Sequence, residues 1–278
     1  MRNFIQRTVF GILFVVIIIA PILISPYLFV LIMFVVNLIG LSEVYILTVP
    51  KKVPTVYRIL LLIAGTVLYL VVVSVFMGFC AAHCLFVGLI LLYVPFLIAL
   101  FRTELKAEKI LHTYYIGYFF VSLPAALMLA FYNSDFVGPA AGPFLLLTLF
   151  AMIWINDTFA YLIGVWLGKH RLYEKVSPKK SWEGSVGGLV FTLIAALLWA
   201  HYGELMPVWK MMGMALIVVV CCNLGDLIES MIKRQADVKD SGTLIPGHGG
   251  ILDRFDAAFF VVPFVFFYLL ILGVYAHP

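Results

Sequence analysis

Apolar residues run along this chain in long blocks separated by short polar stretches. Nine blocks stand out, roughly at 8–24, 27–47, 57–78, 85–101, 111–131, 141–167, 184–200, 210–232 and 257–276. An apolar helix of about 20 residues crosses the hydrocarbon core of a bilayer. The pattern therefore predicts an all-α polytopic membrane protein with about nine transmembrane helices. The first two blocks have almost no charge between them, and Pro21, Ser25 and Pro26 predict the break, because proline terminates or kinks a helix. The sixth block is long and must tilt or emerge into water.

Composition agrees with the pattern. Hydrophobic residues are 64% of the chain, charged residues only 12%, and the mean hydropathy is +1.13. A soluble domain is nearer half apolar. The start resembles a signal peptide, with Arg2 and Arg7 ahead of an apolar run. No small-x-small cleavage site precedes a soluble domain, so a retained anchor is expected. Neither an internal repeat nor a low-complexity tail stands out. Residues 1–140 hold about five N-terminal spans, and residues 141–278 form a C-terminal region with polar loops at 168–183 and 233–256.

The basic residues orient the spans. With nine crossings, seventeen of the eighteen Lys and Arg residues fall on the side of the N-terminus, and only Lys210 falls on the other. The positive-inside rule then puts the N-terminus in the cytoplasm and the C-terminus outside. A basic cytoplasmic face suits anionic lipid headgroups and nucleotide phosphates. Nucleic acid is excluded as a partner, because the basic loops are short and lie at the membrane. Cys80, Cys84, Cys221 and Cys222 read as small apolar residues rather than metal ligands.

Three stretches carry candidate chemistry. In the sixth block, Asp157, Tyr161, Gly164 and Gly168 recur at helical spacing and share one face. The glycines suit close helix packing. Asn156 and Asp157 need another reason, since a carboxylate at membrane depth costs about 3 kcal/mol. The loop at 168–183 contains Ser177, Lys179, Lys180 and Ser181 just ahead of a span. Hydroxyls and lysines at a helix start make an anion site, because orphan backbone N–H groups point there. A cytoplasmic topology anchor accounts for the same charges.

The third stretch runs from Asp226 to Asp256. Asp226, Ser230 and Lys233 recur at four and three residues on the eighth block. A polar loop follows with Gly247, Gly249 and Gly250, which allow close backbone approach to a ligand. Asp253, Arg254 and Asp256 then open the ninth block. Asp226 and Asp253, from two helices, suit Mg²⁺, which takes one or two carboxylates together with phosphate and water. Ion pairing with Lys233 and Arg254 is the alternative. The GxxxxGK[ST] pattern of a P-loop is absent. His248 has three open roles: phosphate donor, acid, or turn closure.

At these residues the chain resembles the CDP-diacylglycerol synthases, or phosphatidate cytidylyltransferases. Their signature S-x-x-K-R-x4-K-D-x-G-x3-P-G-H-G-G-x-x-D-R-x-D is met at Ser230, Lys233, Arg234, Lys239, Asp240, Gly242, Pro246, Gly247, His248, Gly249, Gly250, Asp253, Arg254 and Asp256. Asp157-Thr158, Ala160-Tyr161 and the SPKKSWEG loop are also similar, with Ser181 where the family usually has Thr. The resemblance covers residues 150–260 and implies transfer of CMP from CTP to phosphatidic acid by a homodimer. The basic residues put the site toward the cytoplasm, and a bacterial inner membrane is expected because the chain has no long tails. The physical reading of the residues fits that reaction: a metal on Asp226 and Asp253 would polarise the α-phosphate, and Lys233, Arg234, Lys239 and Arg254 would hold phosphates. Its rivals are a CTP-dependent polyprenol kinase, an intramembrane aspartyl protease and a proton-coupled transporter. The last two would use Asp157 and Asp226. The protease motif G-x-G-D is incomplete here, since Asn223 stands at its first glycine.

Overall fold

The computed structural model describes residues 2–50, 53–101, 106–132, 142–203, 205–242 and 249–272, with side chains described from residue 11 onward. It is an all-α membrane architecture with one small β-hairpin. Among the described residues, eight helical segments are long and apolar enough to cross a membrane, and a shorter apolar stretch, Gly11–Ile24, belongs to the first helix. The chain divides into two compact units, residues 1–133 with 235–255, and residues 134–234 with 256–278.

The first unit contains α1 (Arg2–Ile24), α2 (Pro26–Thr48) and α3 (Val56–Phe76). The expected break falls at Ser25, which is extended (φ −166°, ψ 133°) with Pro26 at the first position of α2. Pro26 suits that place because its missing N–H would find no partner there anyway. Pro21, by contrast, does not stop α1, which runs through it to Ile24. Membrane helices tolerate such prolines because neighbouring groups satisfy the freed backbone.

Two further spans of this unit are irregular, and proline explains both. The segment Ala82–Phe101 is broken into α4 (Leu85–Leu91) and α5 (Val94–Phe101). Pro95 cannot donate to the carbonyl four residues back. The backbone tightens there, with Leu92 N bonding Leu89 O at 3.1 Å and Tyr93 N bonding Ile90 O at 3.0 Å. The next segment, Ala107–Tyr132, consists of α6 (Ala107–Ile116), a π-helical stretch (Gly117–Ser122), α7 (Leu123–Leu127) and a closing 3₁₀ turn. Pro124 sits just after the π stretch. This segment forms the interior of the unit. Cβ atoms at Gly65 and Gly117 would meet Leu41 side-chain atoms at 2.6 and 3.0 Å. Thr113 donates to Thr48 Oγ1 at 2.9 Å, and Tyr132 donates to Ile22 O at 2.9 Å.

The second unit contains α8 (Gly142–Leu167), the hairpin β1 (Arg171–Tyr173) and β2 (Ser177–Ser181), α9 (Trp182–Tyr202), α10 (Val208–Gln235) and most of α11 (Leu252–Leu272). The hairpin is antiparallel, with Arg171 opposite Ser181 and Tyr173 opposite Ser177. Helices α8 and α9 pack at glycine distance. A Cβ on Gly184 would lie 2.5 Å from Ala160 O, and one on Gly188 would lie 2.6 Å from Asn156 Oδ1. Phe159 and Phe191 stack across the same interface, with ring centroids 3.7 Å apart. The buried Lys210 of α10 donates to Leu272 O at 3.2 Å, satisfying a carbonyl at the end of α11.

Candidate functional site

In the second unit, where α8 packs tightly on α9, polar side chains come from five elements. From α8 come Asn156 and Asp157, with Asn156 Nδ2 donating to Asp157 Oδ1 at 3.3 Å. Asn156 is buried, and its Oδ1 has no hydrogen-bond partner. From α9, Ser185 donates to Asn223 Oδ1 of α10 at 3.0 Å. From β2, Lys180 makes an ion pair with Asp226 of α10, both side chains about three-quarters covered. Asp256 of α11 accepts from Ala257 N at 2.8 Å.

Glycine again sets the approach of the helices. A Cβ on Gly225, next to Asp226, would come within 2.9 Å of Asp256 O. One turn beyond Asp226 the buried Glu229 holds Lys233 at 2.5 Å. The sequence pairs Lys233 with Asp226 as an alternative to metal binding. In the structure Lys180 takes Asp226 and Glu229 takes Lys233. Ser230 is half-buried beside them, whereas Arg234 is exposed.

The hairpin loop is built by internal capping. Ser181 is the N-cap of α9 and accepts from Gly184 N at 3.2 Å. Glu183 accepts from the backbone N–H groups of Lys169 and His170 at 3.1 and 3.2 Å and bonds His170 Nδ1 at 2.6 Å. The loop thus supplies its own acceptors at the start of α9. Lys179 is exposed and its carbonyl accepts from Arg171 at 3.4 Å, while Ser177 sits in the strand pairing. Tyr161 is exposed on α8.

In the first unit the signature segment is organised by two carboxylates. Asp253, in the first turn of α11, accepts from Ser241 N at 2.8 Å, Ser241 Oγ at 2.9 Å and Gly250 N at 2.8 Å. Glu43 of α2 accepts from Ser241 Oγ at 2.8 Å and from Ile251 N and Leu252 N at 2.9 Å each. Gly249 has φ +82°, a conformation that L side chains rarely adopt. Lys239, Asp240 and Arg254 are exposed. Gly247 and His248 lie outside the described residues. Asp226 belongs to the second unit and Asp253 to the first.

Sequence reasoning passed over Glu43 and Glu229. A signal existed for Glu43: it is the only charged residue in α2, and an ionisable group within a span is a functional candidate by default. Among the described residues no three His, Cys, Asp or Glu side chains converge as a ready-made metal site. Mg²⁺ does not require one, because a carboxylate or two with substrate phosphate and water suffices. Asp226 fits that chemistry: it is an oxygen donor that already attracts a cation, the Lys180 ammonium.

Comparison with known proteins covers nearly the whole chain. The profile of the Cytidylyltransferase family matches residues 5–272. A phosphatidate cytidylyltransferase of Staphylococcus aureus (strain COL) is 48% identical over 119 residues, covering 42% of this chain and 46% of the relative. The enzyme of that name from Haemophilus influenzae (strain Rd) is 43% identical over 159 residues, 55% of this chain and 54% of the relative. That from Bacillus subtilis (strain 168) is 46% identical over 119 residues, 42% of this chain and 44% of the relative. The chain spans about half the length of the curated relatives it matches.

Proposed function

We propose that this chain, which belongs to the cytidylyltransferase family, transfers CMP from CTP to phosphatidic acid, releasing pyrophosphate and forming CDP-diacylglycerol for phospholipid synthesis. The observation that carries the reading is the family match over residues 5–272, joined to relatives of that name at 43–48% identity. The fourteen signature positions between Ser230 and Asp256 support it.

The chemistry asks little of the protein beyond charge and alignment. An oxygen of the lipid phosphate attacks the α-phosphorus of CTP in line, and the bond from that phosphorus to the departing pyrophosphate breaks. The lipid phosphate is already ionised near neutral pH, so no side-chain nucleophile is needed. Both reactants are anions, and positioning with charge neutralisation supplies the catalysis. Lys233, Arg234, Lys239 and Arg254 hold phosphates in this reading, with Lys179, Lys180 and the hydroxyls of Ser177, Ser181 and Ser230 nearby in the motif. Glu229 fixes the Lys233 ammonium, and that tether favours a defined phosphate contact over a mobile surface charge. Asp226 and Asp253 are the proposed Mg²⁺ ligands on the sequence reading, and a bound Mg²⁺ would polarise the α-phosphate and favour departure of pyrophosphate.

We place the active face in the cytoplasm of a bacterial cell, at the inner membrane, on the distribution of basic residues. A homodimer is the proposed assembly. The discriminating experiment incubates the purified protein with labelled CTP, phosphatidic acid and Mg²⁺. CMP on lipid with pyrophosphate released is the expected result. CDP release would convert the reading to a lipid kinase. Absence of both products would favour a protease or transporter.

A further inference from the structure

We infer that Glu43, in a span remote in sequence from the signature, is a positioning residue that fixes Asp253 and the start of α11. Its carboxylate is 5% exposed, and a charge so buried demands full hydrogen bonding. All three of its described donors come from the signature segment. Oε1 accepts from Ile251 N, and Oε2 accepts from Leu252 N and Ser241 Oγ. Leu252 N is the first N–H of α11 and Ile251 N stands just before it, at the helix start where N–H groups have no partner within the helix. Glu43 is therefore an N-terminal cap for α11 supplied from another helix, where negative charge is also favoured by the helix dipole.

The same carboxylate reaches Asp253 through one atom. Ser241 Oγ lies 2.8 Å from Glu43 Oε2 and 2.9 Å from Asp253 Oδ2, so one hydroxyl proton serves both. Asp253 is further pinned by the N–H groups of Ser241 and Gly250. Glycine is required around this hub. A Cβ on Gly242 would lie 2.7 Å from Glu43 Oε1, and one on Gly250 would lie 2.4 Å from the same oxygen. A carboxylate thus fits where an alanine methyl at either position would not. Glu43 ties Ser241 to Ile251 and Leu252 and holds the Asp253 side chain in one orientation.

The test is the intact protein in detergent micelles with Glu43→Gln. Glutamine has the same shape, but one of its two positions is an NH₂ group facing a backbone N–H whichever way it turns. At least one buried donor then loses its acceptor, worth on the order of tenfold or more in local opening. Amide exchange, followed by mass spectrometry over residues 241–252, is expected to rise about tenfold, with peptides from α8 unchanged. For CMP transfer, which rests on the proposed function, kcat is expected to fall about tenfold or more while the KM for CTP moves less than about threefold, because Asp253 is misplaced rather than removed. Glu43→Asp keeps the charge but shortens the reach and is expected to stay impaired. Wild-type exchange in Glu43→Gln, or full activity in Glu43→Asp, would overturn the proposal. If Glu43→Gln fails to fold, Ser241→Ala removes only the bridging hydroxyl, and unchanged exchange over residues 249–253 would overturn it equally. Inactivity of the wild-type protein sinks the CMP-transfer reading alone, because the exchange arm does not depend on it.

Discussion

Lys180 of the hairpin and Asp226 of α10 form an ion pair with three-quarters of each side chain covered. The pair joins the basic loop to a carboxylate of α10, two positions forty-six residues apart in sequence. A covered pair differs from a surface one in that removing one partner leaves a charge without compensation. Lys180 therefore bears on the disposition of Asp226 as well as on the phosphate binding proposed for it.

Lys180→Met is expected to reduce kcat for CMP transfer by on the order of a hundredfold, about 3 kcal/mol, the usual cost of losing a desolvated charged contact in a transition state. Lys175→Met, at an exposed position of the same loop, should stay within about twofold of wild type. Steady-state kinetics with CTP varied separate the two. Equal small effects would mean that the loop acts as a diffuse positive field.

Asp226→Asn and Asp253→Asn should each abolish turnover at saturating Mg²⁺ while the protein still elutes as a folded species in detergent. Each change removes the charge of a proposed Mg²⁺ ligand and leaves the shape alone. Near-wild-type activity in either variant would withdraw that residue from the proposed Mg²⁺ ligands.

Close packing of α8 on α9 makes a stability prediction. Gly184→Ala and Gly188→Ala insert a methyl where backbone oxygen lies 2.5 and 2.9 Å away. Each should destabilise by about 1–3 kcal/mol and lower the thermal midpoint. Gly11→Ala has nothing within 4 Å of the new methyl and should be neutral or slightly stabilising.

Orientation is testable by impermeant thiol labelling in a chain with other cysteines replaced. Cysteines placed at Lys175 and Lys239 should react only from the cytoplasmic side, and the exposed native Cys80 only from the opposite side. Labelling of Cys80 and position 175 from one side would refute the alternation on which the topology rests.

Much of the fold was legible because membrane spans are written in composition. The block expected at 27–47 is α2 (Pro26–Thr48), and that expected at 210–232 is α10 (Val208–Gln235). Apolar length alone predicts such elements. Departures occurred where a proline's missing N–H met its surroundings: Pro21 was absorbed within α1, while Pro95 split its segment in two. The glycine pair Gly164 and Gly168 was legible as a packing motif. What faces it across the interface, Gly184 against Gly164, and the neighbouring approaches of Gly187 to Ile163 and Gly188 to Asn156 are not legible in sequence, because a close approach involves two helices and their facing side chains.

The sequence by itself determined the membrane class, the approximate spans and the signature residues, since hydropathy and spacing are local properties of the chain. Partner choice was decided only by tertiary structure. Asp226 is paired with Lys180, Lys233 with Glu229, and Asp253 shares a hydroxyl with Glu43 some two hundred residues earlier. A charge at membrane depth must find compensation, but linear order does not say which of several oppositely charged or donor groups will be within reach. That is set by how closely the glycine-lined helices approach.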